Sequence, residues 1–66
     1  MSVFEEIENG VREAFPGCKV EVRAASFETE PPYHVALFRN GKVLGHVHSS
    51  EPHIPHLVEE LRKQVK

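Results

Sequence analysis

The sequence predicts one α+β domain spanning residues 1–66, a two-layer sandwich in the order α-β-β-β-α with two helices on one face of a three-stranded, mainly antiparallel sheet. Three observations predict this fold. Apolar residues recur at helical spacing near both ends of the chain, they alternate with polar residues between these ends, and Asn40-Gly41 separates two apolar runs. Sixty-six residues are enough for one small domain.

The first helix is predicted over residues 2–15. Ser2 and Glu5 have the spacing of a capping box, in which the hydroxyl and the carboxylate each bond a free backbone N–H. Pro16-Gly17 is expected to end the helix. Its apolar stripe consists of Phe4, Ile7, Val11, Ala14 and Phe15.

Three strands are predicted over residues 18–25, 33–39 and 42–48. The first alternates strictly between apolar and charged residues, which is typical of a strand with one buried face. Asn40-Gly41 is the preferred pair for a type I′ turn, because both central residues need a positive φ. A regular two-residue hairpin pairs Arg39 with Lys42 and carries that register to Tyr33 and His48.

The last helix is predicted over residues 53–65. Pro55 suits its first turn, where the missing N–H would have no helical partner. The apolar stripe of this helix consists of Ile54, Leu57, Val58, Leu61 and Val65.

The hairpin has large apolar residues on both faces, so one face is expected to remain outside a two-layer sandwich. The charged face of the first strand cannot enter the core, so its apolar residues Val20 and Val22 are expected to face the helices. Because strand residues alternate between the two faces, we expect Phe38 and Val43 of the hairpin to lie on that same side. The opposite face, which His46 and His48 share, is then predicted to bind a second copy or a protein partner. Its apolar residues are Tyr33, Val35, Leu37 and Leu44.

The run from Phe15-Pro16-Gly17-Cys18 to Asn40-Gly41-Lys42 and the closing helix resembles the selenoprotein W-like (Rdx) family after its first strand. Residues 35–45 are also similar to the late hairpin of thioredoxins. The resemblance implies a thioredoxin-like fold, and it extends over about residues 4–65. However, these families carry a Cys-x-x-Cys or Cys-x-x-selenocysteine pair before their first helix. This chain has only Cys18, so the redox activity does not transfer with the resemblance.

The element order also matches double-stranded-RNA-binding domains, but the residues argue against that function. That family has a basic Lys-Lys-x-Ala-Lys stretch where this chain has Glu51-Pro52-His53-Ile54-Pro55. The net charge is −2 and the basic residues are dispersed, whereas phosphate binding needs clustered Lys and Arg. No nucleic-acid partner is expected.

The sequence contains no recognised catalytic motif, so we expect a non-enzymatic interaction module without a cofactor. Two alternatives remain open. One is a metal site built from imidazoles, which are good ligands for zinc, copper or nickel; its candidates are His46, His48, His53 and His56. The other is a redox function that uses Cys18 alone.

The compartment is expected to be the cytoplasm, with no membrane partner. One cysteine cannot form an internal disulfide, which small secreted domains commonly need. Neither a secretory leader nor an apolar run of about 18 residues is present.

Overall fold

The computed structural model describes residues 2–65, and their element order is the predicted α-β-β-β-α. The helices and strands agree with the predicted ranges to within a residue at each end, which confirms the fold class. The elements are α1 (Val3–Ala14), β1 (Lys19–Ala24), β2 (Tyr33–Arg39), β3 (Lys42–Ser49) and α2 (Ile54–Gln64).

Local chemistry explains where the elements begin and end. The Ser2 hydroxyl accepts a hydrogen bond from the Glu5 N–H at 3.2 Å, which caps α1. Asn40 and Gly41 have φ values of 52° and 77°, so the predicted hairpin turn is confirmed. Gly17, with φ of 85°, provides the left-handed residue after α1.

The three strands form one antiparallel sheet in the order β1-β2-β3. Next to the turn, Arg39 pairs with Lys42 and Phe38 with Val43, as a regular hairpin requires. The register then shifts, so that Leu37 lies opposite Gly45 rather than Leu44. The predicted register is therefore wrong beyond the first two pairs, because β3 contains a bulge.

The bulge decides which face of β3 is buried. In a regular hairpin, His46 would lie opposite Val35 and both side chains would face the helices. Burying an imidazole without hydrogen-bond partners is costly. With one extra residue in β3, His46 instead lies opposite Ala36 on the outer face, while Val47 lies opposite Val35 on the inner face.

Both helices pack on one face of the sheet, the inner face, as predicted. However, the hairpin residues on this face are not the predicted Phe38 and Val43. Val35 is 1% exposed and Leu37 is 0% exposed, and both belong to the core. They lie opposite Val22 and Val20 of β1. The buried core consists of Ile7, Val11, Val20, Val35, Leu37, Leu57 and Leu61.

The predicted partner-binding surface is corrected by this packing. Val35 and Leu37 are core residues of the single chain, while Tyr33 and Leu44 are partly buried and pack against that core. Tyr33 also lies beside Phe4 of α1, with ring centroids 5.7 Å apart. The prediction of the buried hairpin face was wrong because residues 25–32 form a loop too long to set the β1–β2 register. That register pairs Val20 with Leu37.

The two helices cross at Gly10, where the absence of a side chain is required. A Cβ built at Gly10 would lie 2.8 Å from Cγ2 and 2.9 Å from Cδ1 of Ile54. Glycine has a low helix propensity, so Gly10 weakens α1. The close approach of Ile54 explains why a glycine is nevertheless present at this position.

We expect Gly10→Ala to reduce the free energy of unfolding by about 1–2 kcal/mol, because the overpacking exceeds the gain in helix propensity of about 1 kcal/mol. Urea unfolding followed by circular dichroism measures the effect. In an Ile54→Ala background the same substitution is expected to stabilise the chain, since its obstacle is gone. Equal effects in the two backgrounds would contradict the crossing.

Candidate functional site

The outer face of the sheet is the candidate functional site, because both helices of the described chain lie on the other side. We call it the open face. The strand register arranges its side chains in three rows across the sheet. They are Lys19–Phe38–Val43, Glu21–Ala36–His46 and Arg23–His34–His48.

A shallow depression of about 240 Å³ occupies the middle of the open face. Its floor is the small side chain of Ala36, and the larger side chains of His34 and Phe38 stand before and after it on β2. Glu21 and His46 line it from the neighbouring strands. The depression follows from strand geometry, since residues i and i+2 of β2 share one face.

Three histidines form one group beside this depression. The rings of His34 and His48 are stacked, with centroids 3.9 Å apart and planes 12° from parallel. The ring of His46 lies 5.5 Å from that of His48. The three imidazole rings therefore form a continuous group on the open face.

His34 also faces the loop between β1 and β2. Its Nε2 atom is buried without a hydrogen-bond partner among residues 2–65, and it lies 3.8 Å from a carboxylate oxygen of Glu30. The side chain as a whole is 23% exposed. This corner of the open face is therefore polar and only partly solvated.

The opposite end of the open face is apolar. Val43 is 57% exposed, which is unusual for a large aliphatic residue, and the half-buried ring of Phe38 lies beside it. An apolar pair next to imidazoles and basic groups is a composition found in interaction surfaces.

Charge is distributed unequally between the two layers. The strands carry four basic residues and only one acidic residue, Glu21. In contrast, α1 has four glutamates and one arginine. Nine of the ten acidic residues lie outside the strands. The rows of the open face carry two basic residues, Lys19 and Arg23, against the one acidic residue Glu21, whereas Arg39 and Lys42 alternate onto the other face.

Glu21 is enclosed by the basic residues of its own strand. Its carboxylate lies 3.8 Å from Nζ of Lys19 and 3.6 Å from a guanidinium nitrogen of Arg23. Lys19 and Arg23 are about three-quarters exposed, so these contacts are largely screened by water.

The predicted metal ligands are divided between two places. His46 and His48 lie on the open face, whereas His53 and His56 line a separate depression at the start of α2 with Ser49 and Glu51. No three His, Cys, Asp or Glu side chains within residues 2–65 are grouped so that they could hold a metal ion. The fold therefore does not bring the four predicted ligands together into one site.

Cys18, the candidate redox residue, is half-buried and packs against the core. Its backbone N–H donates to the Phe15 carbonyl at 3.2 Å, which holds it in the turn between α1 and β1. These contacts are those of a structural cysteine.

Ala36 and Phe38 as residues of the outer face, and His34 as a neighbour of His48, were not predicted from the sequence. The signal that identifies them is the glycine at position 45. A side chain there would meet Gln64 of α2 at 3.0 Å, so Gly45 must face the helices, and His46 and His48 must then face outward.

No protein-family model matches this chain, and neither a curated protein nor a solved structure matches it significantly. The resemblance to the selenoprotein W-like and thioredoxin-like proteins thus stays a prediction. Among the described residues, neither helix is long and apolar enough to cross a membrane.

Proposed function

We propose that this chain is a non-enzymatic protein-interaction module of the cytoplasm, and that its open face docks on an acidic segment of a protein partner. The observation that carries the proposal is the combination of exposed apolar side chains and basic charge on one uncovered sheet face. The single cysteine supports a reducing compartment.

The partner's chemistry follows from the three rows of the open face. Phe38 and Val43 provide apolar contact area, while Lys19 and Arg23 provide exposed positive charge. The glutamates of α1 lie in the other layer, so they do not face a ligand bound on the open face. Complementary charge of this kind increases association rates and selects the partner.

An acidic peptide rather than a nucleic acid is the favoured ligand, because the basic residues do not follow a continuous track. Glu21 lies between Lys19 and Arg23 on the open face. A phosphate backbone needs successive cationic contacts, whereas a peptide that alternates acidic and apolar residues matches the mixed rows.

The test is a titration of the ¹⁵N-labelled chain, followed by NMR, with a peptide that alternates Glu and Leu over about 12 residues. We expect shifts of the backbone amides on the open face and none with a peptide in which Lys replaces Glu. Phe38→Ala and Lys19→Glu should each weaken binding by up to about tenfold.

Lys63→Glu is the matched control, because it makes the same charge change at an exposed site on α2. It should leave binding unchanged. If Lys63→Glu and Lys19→Glu weaken binding equally, the attraction is nonspecific and the open face is not the docking site. If single-stranded DNA shifts the same amides more strongly than the peptide does, the partner class is wrong.

A further inference from the structure

The two edges of the sheet differ in whether their backbone groups are occupied. At the β3 edge, Gln64 of α2 binds His46 as a neighbouring strand would. Its Oε1 atom accepts from the His46 N–H at 3.0 Å, and its Nε2 atom donates to the His46 carbonyl at 2.7 Å. This side chain blocks the edge at its centre, which prevents strand addition there.

The β1 edge has no such protection within residues 2–65. The Ala25 N–H donates to the Pro32 carbonyl at 3.2 Å, on the β2 side. Backbone groups of successive strand residues alternate in direction, so those of Val20, Val22 and Ala24 point away from β2. Beyond the ladder with β2, no side chain of the described residues bonds to the β1 backbone.

We propose that two copies of this chain pair antiparallel through their β1 edges, with Val22 of one copy opposite Val22 of the other. The product is a continuous six-stranded sheet with all four helices on one face. The second copy expected from the sequence therefore binds through a different surface from the one first predicted, and this surface shares only Arg23 with the docking residues proposed on the open face.

The charges of β1 select this register. With Val22 on the two-fold axis, Glu21 of each copy lies opposite Arg23 of the other, on the outer face. Val20 then lies opposite Ala24 on the inner face. Opposite charges across an antiparallel pair are stabilising.

The other registers that keep the two faces aligned are poorer. Centring the pair on Glu21 places the two Glu21 carboxylates opposite each other and Lys19 opposite Arg23, so like charges repel. Centring it on Val20 or on Arg23 leaves only three residues of each β1 strand within the pair. The register centred on Val22 pairs five of the six residues of β1 and uses all three outward-facing backbone positions.

Pairing also completes an ion network that is already half formed. Glu21 lies 3.6 Å from Arg23 of its own chain, and the second copy adds the same two groups across the axis. The half-buried side chain of Val22 gains a neighbour at the centre of the joint. Two open faces then lie side by side on one platform.

The test is sedimentation equilibrium of the full chain over a range of concentrations, with circular dichroism to verify folding. We expect the wild type to reach twice the monomer mass. Arg23→Glu should raise the dissociation constant at least about tenfold, because it places carboxylates opposite each other. The charge swap Glu21→Arg/Arg23→Glu should restore the dimer.

Val22→Pro provides a second variant that acts on the backbone. Its missing N–H faces the edge rather than β2, so the intrachain ladder is kept while the central bonds of the dimer are lost. Lys63→Glu should dimerise like the wild type. A wild-type monomer at all concentrations, or a dimer that survives Arg23→Glu and Val22→Pro but not Phe38→Ala, would overturn the proposal; the last result would indicate face-to-face packing instead.

Discussion

Leu37→Ala is expected to lower the free energy of unfolding by about 2–5 kcal/mol, which is most of the stability of this domain. Leu37 is fully buried, and its side chain belongs to the core cluster that joins the sheet to both helices. Truncating such a leucine costs about 2–5 kcal/mol, because apolar contacts are lost and a cavity remains. A domain of this size has a total stability of only about 3–5 kcal/mol, so the loss removes most of it.

Val43→Ala is the matched control on the other face of the hairpin. Val43 is 57% exposed, and a surface truncation of this kind usually changes stability by less than about 0.5 kcal/mol. Thermal and urea unfolding, followed by circular dichroism, compare the two variants. Similar stabilities of the two variants would contradict the assignment of Leu37 to the inner face.

Gly45→Ala is the second substitution with a large expected effect, and it should cost about 1–3 kcal/mol. The added Cβ would lie 3.0 Å from both Cβ and Oε1 of Gln64. Either α2 moves away from β3 or Gln64 gives up its two hydrogen bonds to His46. Both responses loosen the contact between the last helix and the sheet.

Urea unfolding of further variants separates these contributions. Gln64→Glu keeps the size of the side chain and the acceptor for the His46 N–H, but it places an oxygen against the His46 carbonyl, so a loss of about 1 kcal/mol is expected. Gln64→Gly removes the atoms that the added methyl group would meet. Gly45→Ala should therefore cost less in the Gln64→Gly background. Strict additivity of the two changes would argue against the close contact.

The elements themselves were predictable because their signals are local. The Ser2 cap, the helical stripe around Ile7 and Val11, and the Asn40-Gly41 turn each act within a few residues. Their physical basis is backbone geometry and side-chain capping, and tertiary contacts do not change either of them. The order of the elements then leaves a two-layer sandwich as the natural arrangement.

The candidate site was only partly predictable. His46 and His48 were expected on the outer face and they lie there, but in the company of Ala36 and Phe38 rather than Val35 and Leu37. A regular hairpin would place His46 and His48 on the same face as Val35 and Leu37. One extra residue in β3 reverses the inner and outer faces for every later pair.

By itself, the sequence determined the helices, the strands, the turn and the two-layer fold, since periodicity and turn chemistry require no knowledge of distant residues. Only the tertiary structure decided which face of the hairpin is buried and which edge of the sheet is protected. The pairing of Val20 with Leu37 spans a long loop, and Gly45 must lie under Gln64 for α2 to pack. The buried face is the one that removes the most apolar area from water while leaving the imidazoles on the outer face. Both quantities depend on contacts between elements that are distant in sequence, so they are defined only in the tertiary structure.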